Sequence, residues 1–316
     1  MKHLFIINPA AGKKNSTAKL EQLLGELDFE YEVRYTQGAG DARRIAREEA
    51  EKNIPLRIYA CGGDGTLNEV VNGVAGYDHV AVTNVPKGTG NDFLKIFGPK
   101  YREEFYDLKA LSQGPQTAMD LIDCNGLLGN DVVCAGIDAR IGAGVHYYKN
   151  WRFVSGMGAY VLALIENVVL QGLHQPMRVQ MGDIDYDGET TVLVVCNGRH
   201  YGGGFQPVPD AMPDDGVLDS LLIPKIGWGT FLRLVGKYAK GEYKKYPKYI
   251  WPCRGDGVTV TAPKEIIVVV DGEEMRGTCF HICLSEKKVN FFYPAYSSYA
   301  RKEETAENEE NLALHT

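Results

Sequence analysis

A parallel-sheet α/β domain followed by a mostly-β domain is the fold class that this sequence predicts, and three observations predict it. The chain has 316 residues, long for one core and typical of two domains. Its first third alternates strand-like and helix-like segments. From about Met119 that texture changes to short β-rich runs punctuated by glycine.

Taken in order, HLFIIN (3–8) reads as a buried strand, Thr17 to Leu27 as an amphipathic helix, YEVRYT (31–36) as a strand and Asp41 to Lys52 as a helix. LRIYAC (56–61) is again a strand, Leu67 to Val74 a helix and HVAVTNV (79–85) a fourth strand. Such alternation implies a parallel sheet covered on both faces, whose ligands sit at the carboxyl ends of the strands. Beyond Met119 come MDLIDCNG, NDVVCAGID, MRVQMGDIDYDG, TTVLVVCNG, GVLDSLLIP, GVTVTAP, EIIVVVDG, TCFHICLS and KVNFFYP, with helical patterns only at Gly156 to Leu170 and Gly229 to Lys240. That spacing predicts a mostly antiparallel sandwich or open barrel, with the boundary near residues 120–125.

Bulk properties exclude several classes. With 44% hydrophobic and 24% charged residues the chain is neither disordered nor fibrous. A net charge of −7 argues against nucleic acid as a partner, which needs a basic face. The tail from Arg301 to Thr316 carries −3 of that charge and reads as a solvated, frayed helix end. Seven scattered cysteines with apolar neighbours suggest reduced thiols in cytosol. Met1 to Ile7 is too short for a signal peptide, and the apolar run from Gly156 to Ile165 falls below the ~18 residues a spanning helix needs. A cytoplasmic protein that does not cross a membrane is expected, with peripheral contact at the inner face left open.

The chemistry concentrates in turns. Asn8-Pro9-Ala10-Ala11-Gly12, Gly62-Gly63-Asp64-Gly65-Thr66 and Pro86-Lys87-Gly88-Thr89-Gly90-Asn91-Asp92 each follow a predicted strand. The switch-point rule places all three on one sheet edge, where they form one pocket. Any one alone also reads as an ordinary strand-to-helix turn. Three on one edge, two with Thr after Gly, point to phosphate, because glycine lets backbone N–H groups approach an anion. A Walker A loop is absent: the segment at Gly12 lacks both the upstream glycine and the Ser/Thr at the required spacing. Gly63-x-Gly65 has no third glycine in place, which disfavours an NAD-dependent oxidoreductase.

Together, GGDGTLNEVVNG, PKGTGNDF, GGGFQPVPDAMPDDGVLD and VDGEE resemble the diacylglycerol-kinase catalytic family, specifically its small soluble bacterial lipid kinases, relatives of sphingosine and ceramide kinases. The four motifs occur in order over nearly the whole chain, whereas GGDGT alone is shared with NAD kinases and phosphofructokinases. The resemblance implies a Rossmann-like domain of the phosphofructokinase/NAD-kinase type over residues 1–122, rejoined by about 290–316, and a β-sandwich-like lipid-substrate domain over 123–289, with the active-site cleft between them. It implies ATP as co-substrate, Mg²⁺, and a lipid acceptor, diacylglycerol first; such kinases often dimerise, although no pattern here specifies an interface. Carried over, Asn8 to Gly12, Thr36, Gly62 to Thr66, Leu67, Asn68, Glu69, Gly88, Thr89, Asn91 and Asp92 correspond to the ATP site. Asp271 and Glu273 correspond to the acid pair credited with activating the lipid hydroxyl. Met212, Asp215 and Val217 are similar to a structural Mg²⁺ site made of one carboxylate and two backbone carbonyls.

Residue chemistry is compatible with these roles. ATP brings about four negative charges, so phosphoryl transfer needs oxygen ligands for Mg²⁺, and Asp64, Asp92, Asp271 and Glu273 are candidates. An alcohol of pKa ~15.7 cannot be ionised beforehand by a carboxylate of pKa ~4, so the proton leaves as the P–O bond forms. A general base is then worth ~10²–10⁴-fold, with electrostatics supplying much of the rest. A continuing strand would put Asp271 and Glu273 on one face, while Gly272 hints at a hairpin turn. Asp214-Asp215-Gly216 also reads as a plain β-turn. Cys279-x-His281-x-Cys283 is read as core packing rather than metal ligation, and His200 as a hydrogen-bonded loop residue. KYAKGEYKKYPKY (237–249) reads either as a solvated helix end and loop or as a segment whose lysines meet anionic headgroups while its rings sit at the interface. Two rival functions are a kinase of the NAD-kinase type with a soluble acceptor and a non-catalytic nucleotide-binding regulator. GTGNDF and the late DGE speak against the first, the intact acid pair against the second.

Overall fold

The structure, a computed structural model, describes residues 1–12, 15–142, 172–297 and 299. The helix expected over Gly156 to Leu170 and the acidic tail lie outside the described residues. Two compact units divide the chain: Met1–Met119 with Lys287–Thr316, and Asp120–Glu286.

The first unit is built on a six-stranded sheet ordered β2-β1-β3-β4-β15-β5. Its strands are β1 (Lys2–Ile7), β2 (Glu32–Tyr35), β3 (Leu56–Gly62), β4 (Val80–Pro86), β5 (Gln116–Met119) and, from the far end of the chain, β15 (Val289–Phe292). All pairs are parallel except β15 with β5. All seven residues of β3 and of β4 are buried, the mark of a parallel sheet covered on both faces. Phe5 stacks on Tyr59 at 4.0 Å between ring centroids. Each fully buried side chain of this kind stabilises by about 1.5–3 kcal/mol.

Helices α1 (Ser16–Gly25), α2 (Asp41–Ala50) and α3 (Asp64–Val74) follow β1, β2 and β3. The α3 helix begins three residues earlier than its apolar pattern predicts. Gly63 is its extended N-cap, so Asp64, Gly65 and Thr66 form the first helical turn rather than a loop. The short helices α4 (Tyr101–Glu104) and α5 (Leu108–Gln113) lie between β4 and β5.

The second unit is a nine-stranded antiparallel sheet: β6 (Ile122–Cys124), β7 (Leu127–Gly129), β8 (Val132–Gly136), β9 (Gln175–Met181), β10 (Ile184–Cys196), β11 (Leu218–Pro224), β12 (Trp251–Gly255), β13 (Gly257–Val270) and β14 (Glu273–Leu284). β14 pairs with β13 along both halves, so β9 and β8 must share the other edge of β13 one after the other. Bulges between Thr190 and Val192 and between Thr261 and Ile266 let the two long strands bend there. Alternate residues split between two apolar layers: Val132, Cys134, Val192 and Val194 face one, and Val133, Ala135, Leu193 and Val195 the other. Helix α6 (Trp228–Tyr238) covers the first layer through Phe231, Leu234 and Tyr238.

Two sequence expectations change here. In the lysine–tyrosine segment, Tyr238 and Tyr243 are buried and Tyr246 and Tyr249 pack against the same core, while Lys240, Lys244, Lys245 and Lys248 are exposed. The rings are core residues, not interfacial anchors. Cys279, His281 and Cys283 do share one face of β14, but it is the exposed face; Phe280 and Ile282 point into the core. No described helix is long and apolar enough to cross a membrane.

Candidate active site

Strand register brings the first-unit turns together. Ile7 lies opposite Cys61, and Gly62 opposite Pro86, so the chains leaving β1, β3 and β4 emerge side by side at one sheet edge. Asn8 ties the first two: its side-chain N–H donates to the Thr66 hydroxyl at 3.1 Å, and its own Oδ1 accepts the Ala10 N–H at 3.0 Å. Gly12 has φ +80°, and a Cβ there would lie 2.3 Å from the Lys87 carbonyl oxygen. A Cβ on Gly88 would lie 2.6 Å from the Gly63 Cα. Both positions need glycine because the backbones touch.

The third turn is held from three sides. The Asp64 carboxylate accepts the N–H of Asn91 at 2.8 Å and of Asp92 at 2.5 Å. Asn91, fully buried at φ +52°, donates to the Gly62 carbonyl at 3.0 Å and to Asn84 Oδ1 at 2.8 Å. Arg102 spreads its guanidinium over the carbonyls of Gly88 (3.1 Å), Thr89 (2.9 Å) and Gly90 (3.0 Å). With the N–H groups of Asn91 and Asp92 taken by Asp64 and that of Gly88 by the Gly62 carbonyl, the Thr89 and Gly90 N–H groups are the ones this turn offers an anion, next to the positive end of α3. Neither Arg102 nor Asn84 has a signal in the glycine pattern; only the folded contacts single them out.

Other expected ATP-site residues hold the scaffold. Glu69 accepts the N–H groups of Gly40 (2.8 Å) and Ala42 (3.0 Å), capping α2. Buried Thr36 donates its backbone N–H to Ile7 at 2.9 Å, and the Asn68 carbonyl accepts from Asn72 at 2.9 Å. Leu67 is core. Asp92 pairs with Lys95 at 2.5 Å.

In the second unit, Asp271 and Gly272 form the two-residue turn between β13 and β14, at φ +47° and +95°. The turn reading of VDGEE is therefore the correct one. Three consecutive backbone amides fasten the Asp271 carboxylate: Asn130 at 2.6 Å, Asp131 at 3.1 Å and Val132 at 2.8 Å. Its own N–H donates to the Val132 carbonyl at 3.0 Å. Glu273, the first residue of β14, is exposed.

The expected Mg²⁺ ligands are arranged differently from a cation cage. Asp215 is ion-paired with Arg254 and accepts the Val217 N–H at 3.2 Å, and Met212 Sδ faces the Arg199 guanidinium. A hard cation binding the Asp215 carboxylate here would have to take the place of the Arg254 guanidinium. A polar cluster absent from the sequence reading lies in the core of the same unit. Asp138 Oδ2 accepts from Tyr201 at 2.5 Å and Tyr238 at 3.3 Å, and burial pushes its carboxyl above the usual range despite those bonds.

Comparison with known proteins gives the family. The diacylglycerol kinase catalytic domain matches residues 2–124, and the YegS C-terminal NAD kinase beta sandwich-like domain matches residues 131–285. The chain is 31% identical over 283 residues to the Pseudomonas aeruginosa PAO1 protein named "Probable lipid kinase YegS-like", covering 88% of this chain and 89% of that one. It is 28% identical over 277 residues to the diacylglycerol kinase of Bacillus subtilis strain 168, covering 85% and 88%. A crystal structure of a diacylglycerol kinase from Bacillus anthracis str. Sterne aligns with TM-score 0.68 at 21% identity over 92% of this chain and 96% of that chain, a likeness of fold. With both domain families found in order and a relative of this identity spanning most of the chain, the protein belongs to the diacylglycerol kinase catalytic family of lipid kinases.

Proposed function

We propose that this kinase transfers the γ-phosphoryl group of ATP, taken as its Mg²⁺ complex, to the hydroxyl of diacylglycerol, giving phosphatidic acid and ADP. The observation that carries the nucleotide half is the contact of three glycine turns at one sheet edge, with Arg102 and Asp64 fixing the third. Phosphoryl transfer is mostly positioning and charge neutralisation, and preorganised N–H donors serve that chemistry. Asp271 is the proposed acceptor of the hydroxyl proton, with exposed Glu273 assisting. Its anchoring amides hold the carboxylate in one orientation at no cost during the reaction. The acceptor half rests on the relatives, some named diacylglycerol kinase and others lipid kinase.

A peripheral membrane contact fits the same reading. Trp228 and Leu232, one turn apart on α6, are 43% and 69% exposed, and Arg233, Lys240 and Lys248 on and beyond that helix form no ion pair among the described residues. Such a face suits an anionic bilayer. The test is labelled ATP with mixed micelles of diacylglycerol, other lipid alcohols or none, and with NAD as a soluble acceptor. Label in phosphatidic acid supports the proposal; label in another lipid corrects the acceptor, label in NAD favours the soluble-acceptor kinase, and absence of lipid-stimulated turnover favours a regulator.

A further inference from the structure

Lys87 joins all three turns. Its backbone N–H donates to the Gly62 carbonyl at 3.0 Å, and its own carbonyl closes against Gly12. Its ammonium, on a residue only 4% exposed, donates to the Asn8 carbonyl at 2.9 Å and the Thr17 hydroxyl at 2.7 Å. Both acceptors are neutral. Among the described residues no carboxylate pairs with Lys87, and the third ammonium N–H has no partner. A buried charge with no counter-charge in contact is costly: burial here lowers the lysine's pKa below its ordinary value, although the Glu21 carboxylate, beyond ion-pair distance, acts in the opposite direction. A strut between β4 and the first turn would need no charge: a neutral donor could hold the same two acceptors. The glycine turns at this edge already present N–H groups suited to an anion, and an anion is what the ammonium lacks.

We propose that Lys87 is a phosphate-binding residue, its buried ammonium supplying the counter-charge for the nucleotide polyphosphate gripped by the turns at Asn8, Gly63 and Gly88. The inference rests on the ATP reading above and adds to it a charged side chain within the third turn that the glycine pattern assigns no role. A phosphate oxygen takes the third N–H or displaces the Thr17 hydroxyl, and the ion pair forms where water is scarce and Coulomb attraction is strong.

Lys87→Met removes the charge at similar length, and Lys87→Gln keeps a neutral donor towards Asn8. Melting of full-length protein is followed with ATP, ADP, adenosine or no ligand, and dissociation constants are measured by calorimetry. The expected result is that neither variant is unfolded and that Lys87→Gln, unliganded, melts at or above the wild type. Their ATP dissociation constants rise about tenfold or more, the loss expected for one charged hydrogen bond, while adenosine affinity stays within about twofold. Should Lys87→Met fail to fold, Lys87→Gln carries the test. Lower melting with ATP and adenosine weakened together would make Lys87 a strut and overturn the proposal. So would wild-type ATP affinity in Lys87→Gln. If the wild-type protein itself shows no response to ATP, the nucleotide reading fails and this inference with it, an outcome distinct from equal responses in wild type and variants.

Discussion

Asp271→Asn changes one atom's chemistry at a turn that three backbone amides hold. Asn tolerates the positive φ that Asp271 adopts, so the hairpin itself is preserved. The carboxylate, however, accepts three backbone N–H groups at 2.6, 3.1 and 2.8 Å. A side-chain amide oxygen has two lone pairs, and its NH₂ then faces a backbone donor. Hydrogen bonds to charged groups contribute about 1.5–3 kcal/mol each and neutral ones about 0.5–1.5. Losing one bond and weakening two therefore costs about 3.5–6 kcal/mol. For a unit of this size, about 2–4 °C per kcal/mol places the fall in melting temperature at roughly 7–24 °C. Calorimetry measures that fall, and nucleotide titration at 20 °C checks that ATP binding persists while turnover is mostly lost. A variant melting within about 1 °C of the wild type would refute the three-amide anchor. Turnover within a few-fold of the wild type would refute the role of Asp271 as base.

Three further outcomes follow from named contacts. Arg102→Ala, which frees the carbonyls of Gly88, Thr89 and Gly90, is expected to weaken ATP binding about tenfold in a calorimetric titration, with melting of the second unit unchanged. Gly12→Ala forces a Cβ to 2.3 Å from the Lys87 oxygen at φ +80°, so the first turn must shift; ATP binding is expected to fall below detection in the same titration. With a chromogenic disulfide reagent, Cys279 and Cys283 should react first and Cys253 more slowly. Cys61, Cys134 and Cys196, whose thiols burial both shields and pushes up, should react only on unfolding.

Much of this organisation is legible in the residues because it depends on local rules. The alternation from HLFIIN to HVAVTNV reads directly as the parallel sheet, since buried strands and amphipathic helices have different periods. Glycine after each strand marks the turns for the same local reason. What periodicity cannot show is which face of a strand is covered. Cys279, His281 and Cys283 alternate as core residues would, yet Phe280 and Ile282 fill the core and leave the cysteines outside. Nor can spacing reveal partners distant in the chain. Arg102 follows the turn it clamps, Asn130 to Val132 lie about 140 residues before the carboxylate they anchor, and Arg254 answers Asp215 from strand β12. Lys87 stands inside a recognised motif, but its burial and its missing counter-charge exist only once β1, β3 and β4 are side by side.

Hydrogen–deuterium exchange with a non-hydrolysable ATP analogue tests the central claim most directly, because the three turns are distant in sequence and adjacent only in the fold. Simultaneous protection of the amides at Ala10 to Gly12, Gly63 to Leu67 and Gly88 to Asp92, at one analogue concentration, is the predicted result. Protection of one turn without the other two, or protection confined to other segments, would contradict a single nucleotide site at that sheet edge.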